Sequence, residues 1–374
     1  MTLEGQFEPR FAGVAQAFEA NFTDRGDIGA ALAVVERGRM VVDIWAGRRD
    51  AGKSLGWQQD TLVNVWSTTK GVTAICTAML VDRGLLDFDA RVADYWPEFG
   101  QHGKTDITLR MLLSHQAGLC GFKDAVNLDT LYDARKAANR LAESSPFWRI
   151  GEGCGYHAIT VGFLINELFI RVDGRSTKEF VHEELFLKSG LDIHIGLPSA
   201  FKEKSASLLA PESLGSASFA DDLSAEQISA LANPPLSPEL PNTPAWQAAE
   251  IPSANGFATA HSLATLYGSL VSTDTADPLV SPATLDNATQ IAVESVDRVL
   301  GIDVKWAAGF LRNSQAVYGP SASAFGHSGW GGSFAFADPQ RQLGVAYVMN
   351  KMGTELVDDP RNVALIDAIY DTYQ

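Results

Sequence analysis

Ser67-Thr68-Thr69-Lys70 puts a hydroxyl and an amine three residues apart, where a polar turn runs into an amphipathic helix. Val72, Ile75, Cys76, Met79 and Leu80 recur at helical spacing and Gly84 follows Arg83 as a stop, so the pattern predicts a helix over about 67–83. Residues i and i+3 share a helix face, which lets the Lys70 amine reach the Ser67 hydroxyl. The helix start adds backbone N–H groups and a positive dipole end where an oxyanion would form. Together these are the parts needed for nucleophilic acyl transfer. The spacing alone also fits a solvated serine and a surface lysine. However, Val63, Val65 and Trp66 lead directly into Ser67 and make this a partly buried helix start. A lysine there is costly unless it is paired or neutral.

Two further segments carry chemistry. Tyr156 follows a glycine-rich turn, Gly151 to Gly155, and opens a helical pattern, so its phenol stands at a loop-to-helix junction where it can relay a proton. Gly326-His327-Ser328-Gly329-Trp330-Gly331-Gly332 is dense in glycine just before a strand, a pattern that marks a close backbone approach by a ligand. Taken singly, Tyr156 also reads as a core tyrosine, the glycines as a bulge and His327 as a satisfied structural histidine.

The elements that must position these groups follow from periodicity. Phe7, Phe11, Val14, Phe18 and Phe22 predict an N-terminal amphipathic helix; 31–35 and 40–45 predict two strands joined by Arg37-Gly38. Helical patterns then dominate at 109–115, 159–172, 178–187 and 258–271, with few strands. The stretch 233–244 holds five prolines, which excludes a helix or central strand and predicts a long loop. Strands return at 334–336 and 343–349 around an Asp338-Pro339-Gln340-Arg341 hairpin, and 363–370 closes as a helix. Early strands whose partners lie near the far end imply a discontinuous α/β domain, about 1–86 plus 286–374. A mostly helical domain, about 87–285, would be inserted in it, with the cleft between them.

A 374-residue chain, 46% apolar and 20% charged, has the composition of an ordinary soluble globular protein. A net charge of −16 with no cluster of Lys or Arg repels phosphate backbones and anionic lipid, so neither nucleic acid nor a membrane is expected as partner. Residues 1–10 read as neither a signal peptide nor a transmembrane segment. Cys76, Cys120 and Cys154 form no C-x-x-C pair, which suits a reducing compartment, with the cytoplasm as the default. Asp192-Ile193-His194 and His182-Glu183-Glu184 lack zinc-helix spacing, so no metal or other cofactor is expected. His102 and His115 read as capping or packing local turns, and Trp330 as the aromatic of the cleft. Gly52-Lys53-Ser54-Leu55-Gly56 matches the G-x-S-x-G nucleophile elbow, but no apolar strand precedes it and no helix follows, so it reads as a surface connection.

Ser67-Thr68-Thr69-Lys70, Tyr156 after its glycine turn, and His327-Ser328-Gly329 before a late strand occur in the order seen in the serine β-lactamase-like superfamily. With Leu112-Leu113-Ser114-His115-Gln116-Ala117-Gly118-Leu119 and Tyr156-His157-Ala158-Ile159-Thr160, the chain most resembles the family VIII carboxylesterases, relatives of class C β-lactamases and D-alanyl-D-alanine carboxypeptidases. The resemblance implies an antiparallel sheet flanked by helices with an inserted helical domain. It also implies Ser67 as acylated nucleophile, Lys70 as base partner and Tyr156 as proton relay. The oxyanion hole would be the N–H groups of Ser67 and Trp330, with His327, Ser328 and Gly329 along the substrate. Either a neutral Lys70 or a cationic Lys70 that depresses Tyr156 would serve. Class C β-lactamases carry Asn two residues after the Tyr and Lys in the late motif; here those positions are Ala158 and His327. Losing both polar anchors favours a small-molecule ester of short acyl chain over a β-lactam or D-alanyl peptide. A β-lactamase or D-alanyl-D-alanine peptidase is the enzymatic alternative. A non-catalytic binding protein on this fold would be expected to have lost Ser67, Lys70 or Tyr156.

Overall fold

The computed structural model describes residues 2–50, 52, 55–211, 223–273, 278–355 and 358–373. Its main sheet is built, in chain order, from Leu3–Phe7 (β1), Gly29–Glu36 (β2), Arg39–Asp50 (β3), Val293–Val296 (β4), Asp303–Trp306 (β5), Leu311–Arg312 (β6), Phe325–Ser328 (β7), Phe334–Asp338 (β8) and Leu343–Met349 (β9). All pairs are antiparallel, in the spatial order β1-β3-β2-β9-β8-β7-β6-β5-β4, and Leu55–Gly56 adds a short strand against β3. The apolar run of β2 is buried almost throughout because it lies in the middle of the sheet, paired with β3 and β9. Arg37 and Gly38, at φ 49° and 73°, make the tight turn that joins β2 to β3 with the twist a hairpin needs.

Five longer helices matter here: Ala12–Asp24 (α1), Thr68–Asp82 (α2), Thr160–Asp173 (α3), Ala260–Val271 (α4) and Pro360–Asp371 (α5). Helix α4 lies directly on β2 and β9, and the contact is close because two glycines meet: a Cβ on Gly344 would clash with the Gly268 backbone. Helices α1 and α5 pack on one another, with Phe11, Phe18, Leu365 and Ile369 buried. A second sheet of three short strands, Val63–Asn64, Gly256–Ala258 and Ile193–Ile195, joins the approach to Ser67 to the segment before α4. The antiparallel sheet flanked by helices is thus the fold class expected, and the helical middle of the chain carries strands as well.

Several local expectations need correction. Phe7 ends strand β1 and is 38% exposed; Pro9 opens a single 3-10 turn, Pro9–Phe11, and the helix begins only at Ala12. The helix at 109–115 stops at Leu113, because His115 takes φ 63°. The 178–187 pattern divides into an α-turn, Thr177–Phe180, and a π-helical stretch, Val181–Leu187. Helix α4 starts after Thr259, whose hydroxyl accepts from the Ser262 N–H, since Gly256–Ala258 is strand. The proline-rich stretch holds a 3-10 turn, Leu240–Asn242, and Pro244 opens the helix Pro244–Ala248, where a missing N–H costs nothing. Lys53 and Ser54 of the G-x-S-x-G sequence lie outside the described residues. Among the described residues, no helix is long and apolar enough to cross a membrane, and Cys76, Cys120 and Cys154 are buried free thiols.

Candidate active site

The chain reaches Ser67 through a residue in an unfavourable conformation. Trp66 has φ 46°, which is rare for a bulky side chain and persists only where its surroundings over-determine it. Here its ring sits between Trp246 and Trp330, with centroids at 5.1 and 5.0 Å. Its N–H donates to Asn64 Oδ1 at 3.1 Å, and its carbonyl accepts the Thr69 hydroxyl. The sharp bend makes Ser67 the cap residue of α2. A serine at that position normally spends its oxygen on the helix N–H groups. Ser67 makes no such cap bond. It stays half-buried while Thr68, Thr69 and Lys70 are buried, so its hydroxyl remains available for chemistry.

Lys70 Nζ lies 3.1 Å from Ser67 Oγ and donates to two backbone carbonyls, Ala158 O at 2.6 Å and Ser253 O at 2.9 Å. Burial pushes its pKa well below the ordinary lysine range. A neutral amine has two N–H donors, and both are occupied by carbonyls. Its lone pair is left for the Ser67 proton. The Tyr156 ring lies 4.7 Å from Lys70 Nζ, and its hydroxyl is close enough to Ser67 to interact with it. Burial raises the phenol pKa, so of the two protonation schemes the site favours a neutral amine beside an un-ionised phenol.

The 327–333 turn reaches the same point from β7. The Gly329 N–H donates to Ser333 O at 2.7 Å, and the Ser333 hydroxyl donates to Val65 O at 2.8 Å, two residues before Ser67. A Cβ on Gly329 would clash with that Val65 carbonyl, so glycine is needed for contact with the neighbouring backbone. Gly331 and Gly332 take φ 91° and 114°, a bend that sets Trp330 beside Trp66. Behind the turn, buried Arg361 donates to Gly331 O at 2.8 Å while paired with Asp27 and Asp359. His327 is buried, its Nδ1 is 2.9 Å from Ser328 O, and burial together with the nearby Lys70 lowers its pKa to about 3. It therefore carries no charge at neutral pH. The Ser328 hydroxyl lies 3.4 Å from the Tyr318 hydroxyl.

All seven residues singled out from sequence thus converge, and further ones surround them. His115 packs edge-on against Tyr156 at 5.0 Å and Trp306 at 4.6 Å, well beyond the local turn assigned to it. Its Nδ1 accepts the His157 N–H at 3.2 Å. His157 in turn accepts the Leu119 N–H at Nε2 and faces Gly155 O with Nδ1, so it is a neutral imidazole with its pKa lowered to about 4. Trp306, Trp66 and Trp246 join Trp330 around the site, correcting the expectation of a single cleft aromatic. Ser253 offers Lys70 its carbonyl and ties its own hydroxyl to Ile159 O at 2.6 Å. Among the described residues, no group of three or more His, Cys, Asp or Glu side chains is arranged to hold a metal ion.

A serine at a helix start, a buried amine one turn on and a phenol against both, set beside an antiparallel sheet, define a serine hydrolase. Residues 14–368 match the Beta-lactamase family, and the chain belongs to that family. It is 33% identical over 365 residues to a Mycobacterium tuberculosis protein named esterase/beta-lactamase LipL, an alignment covering 94% of this chain and 84% of that one. Among solved structures it is similar to a family VIII carboxylesterase, at 40% identity and a TM-score of 0.93 with 100% of both chains covered. It is equally similar to a penicillin-binding protein homologue from Caulobacter crescentus, at 42% identity and a TM-score of 0.94, again over 100% of both chains.

Proposed function

We propose that this serine hydrolase is a carboxylesterase acting on short-chain acyl esters through an acyl-enzyme on Ser67. The observation that carries the reading is the Lys70 amine, 3.1 Å from Ser67 Oγ with its donors tied to Ala158 O and Ser253 O. Ser67 Oγ attacks the ester carbonyl carbon as its proton passes to Lys70. The carbonyl oxygen becomes an oxyanion facing the N–H groups of Ser67 and Trp330. Collapse breaks the bond to the alkoxide, which takes the proton back from Lys70 by way of the Tyr156 hydroxyl. Water then attacks the acyl carbon, losing its proton to the same pair, and Ser67 leaves protonated as the carboxylic acid departs.

Ala158 offers a methyl group where an amide would hold a β-lactam side chain. His327 is uncharged where an ammonium would hold its carboxylate. An ester needs neither anchor. The relatives named as esterases favour the same choice. The cleft would lie between the sheet portion, 1–86 plus 286–374 with α4 packed on it, and the rest of the 87–285 portion, in a reducing compartment that suits three free thiols. The test is a series of p-nitrophenyl esters of rising acyl length beside a chromogenic cephalosporin, with Ser67→Ala as control and mass spectrometry of a fluorophosphonate adduct. Turnover of acetate and butyrate esters, lost in Ser67→Ala, with the adduct on the Ser67 peptide, supports the proposal. Cephalosporin turnover as fast as that of the butyrate ester contradicts it.

A further inference from the structure

The β4–β5 hairpin carries a carboxylate that the steps above do not use. Asp297 is fully buried, and among the described residues no cationic side chain forms an ion pair with it. Its charge is met by polar hydrogens instead. Oδ1 accepts the N–H groups of Tyr156, Val299 and Leu300, each at 2.9 Å. Oδ2 accepts the Trp306 indole N–H at 3.1 Å and the Cys154 thiol at 3.7 Å. The turn that Asp297 begins accounts for the bonds to Val299 and Leu300. It does not account for Tyr156 and Trp306, which come from two other segments. The Trp306 ring lies 5.7 Å from that of Tyr156 with only 8° between their planes. One carboxylate therefore grips both the backbone of Tyr156 and the surface on which its phenol lies.

We propose that Asp297 is a positioning residue for Tyr156: one oxygen fixes the tyrosine backbone, and the other fixes the indole that sets the phenol on Ser67. This rests on the Ser67, Lys70 and Tyr156 reading given above. The negative charge also disfavours a phenolate, so it keeps Tyr156 as a hydroxyl able to pass a proton onward.

Asp297→Asn retains an acceptor for the three backbone donors but turns an amide NH2 against the indole N–H. On p-nitrophenyl butyrate, kcat should fall about 100-fold, the loss expected when a reacting group moves by about an ångström, while KM stays within about threefold. Asp338→Asn removes an equally buried carboxylate at the hairpin end of β8, bonded to Ser321, Gln340, Tyr370 and Arg341, and should lower the melting temperature with kcat unchanged. Trp306→Phe keeps a flat ring and deletes only the indole donor. Its kcat should also fall, and the double variant should be no slower than Asp297→Asn. Wild-type kcat in Asp297→Asn overturns the proposal whatever its melting temperature; if that variant does not fold, wild-type kcat in Trp306→Phe overturns it. Absence of a Ser67 fluorophosphonate adduct in the wild type would instead remove the catalytic reading beneath it.

Discussion

Lys70 Nζ stands 2.6 Å from the carbonyl oxygen of Ala158, so the residue whose side chain lacks an amide still serves the amine with its backbone. In the proposed mechanism, substrate anchoring and base positioning would be separate duties at this position. A substitution there can change the first and leave the second in place.

Swapping the anchors should therefore alter specificity with the acyl-transfer chemistry preserved. The wild type should favour short esters over cephalosporins by about a thousandfold in kcat/KM, roughly 4 kcal/mol in transition-state binding. Ala158→Asn combined with His327→Lys should narrow that gap and slow ester hydrolysis, because the new polar groups lie unpaired against an ester. An unchanged ratio would show that these two positions do not set the preference.

Lys70→Ala and Tyr156→Phe should each cut kcat by about three orders of magnitude, with the double variant little worse than either, since groups acting as one unit are not additive. Steady-state kinetics on the four proteins decides it. Losses that multiply would mean the amine and the phenol work independently.

The pH profile should show an acid limb. Lys70 must be uncharged to take the Ser67 proton, and burial holds its pKa well below the usual 10.5, so kcat/KM should rise to a plateau well short of that value. Stability should follow a separate course. His157 and His327 stay neutral in the fold down to about 4 and about 3, whereas exposed histidine titrates near 6.5. The unfolded chain binds those protons first, so their contribution is complete above pH 6.5 and is lost as pH falls from 6.5 through 4 toward 3. Denaturant midpoints measured across that range check it; His157→Asn should flatten part of the slope.

Gly329→Ala should destabilise by about 1–3 kcal/mol, because its methyl meets the Val65 carbonyl, and should lower kcat by moving the Trp330 turn off the Ser67 approach. Gly13→Ala in α1 has open space around it and should instead stabilise, by up to about 1 kcal/mol. Thermal melts and kcat of both variants test whether the turn depends on the close approach at Gly329.

What the sequence made legible was local. Ser67 and Lys70 lie on one face of one helix, and the Asp338-Pro339-Gln340-Arg341 turn between two strand segments names its own hairpin, so both could be read directly. Asp297 was not readable, because its decisive partners, Tyr156 and Trp306, belong to segments brought together only by tertiary folding. In sequence it looks like an ordinary turn aspartate. His115 was assigned to its turn for the same reason. Phe7 was misplaced because a phenylalanine at helical spacing from Phe11 is equally able to end a strand, and only Pro9 hinted at the break.

The pairing of β2 with β9 also governs how the enzyme comes into being. On a ribosome, Ser67 and Lys70 emerge well before the Trp330 turn, and that turn before β9, the strand that closes the sheet beside β2. Until then the apolar β2 has an open edge. A nascent chain of such high contact order must wait to complete its core, and in that interval it is exposed to aggregation and to chaperones. A chain that stops before Leu343 has no β9 to pair with β2, so the sheet beside the Ser67 helix stays open in it.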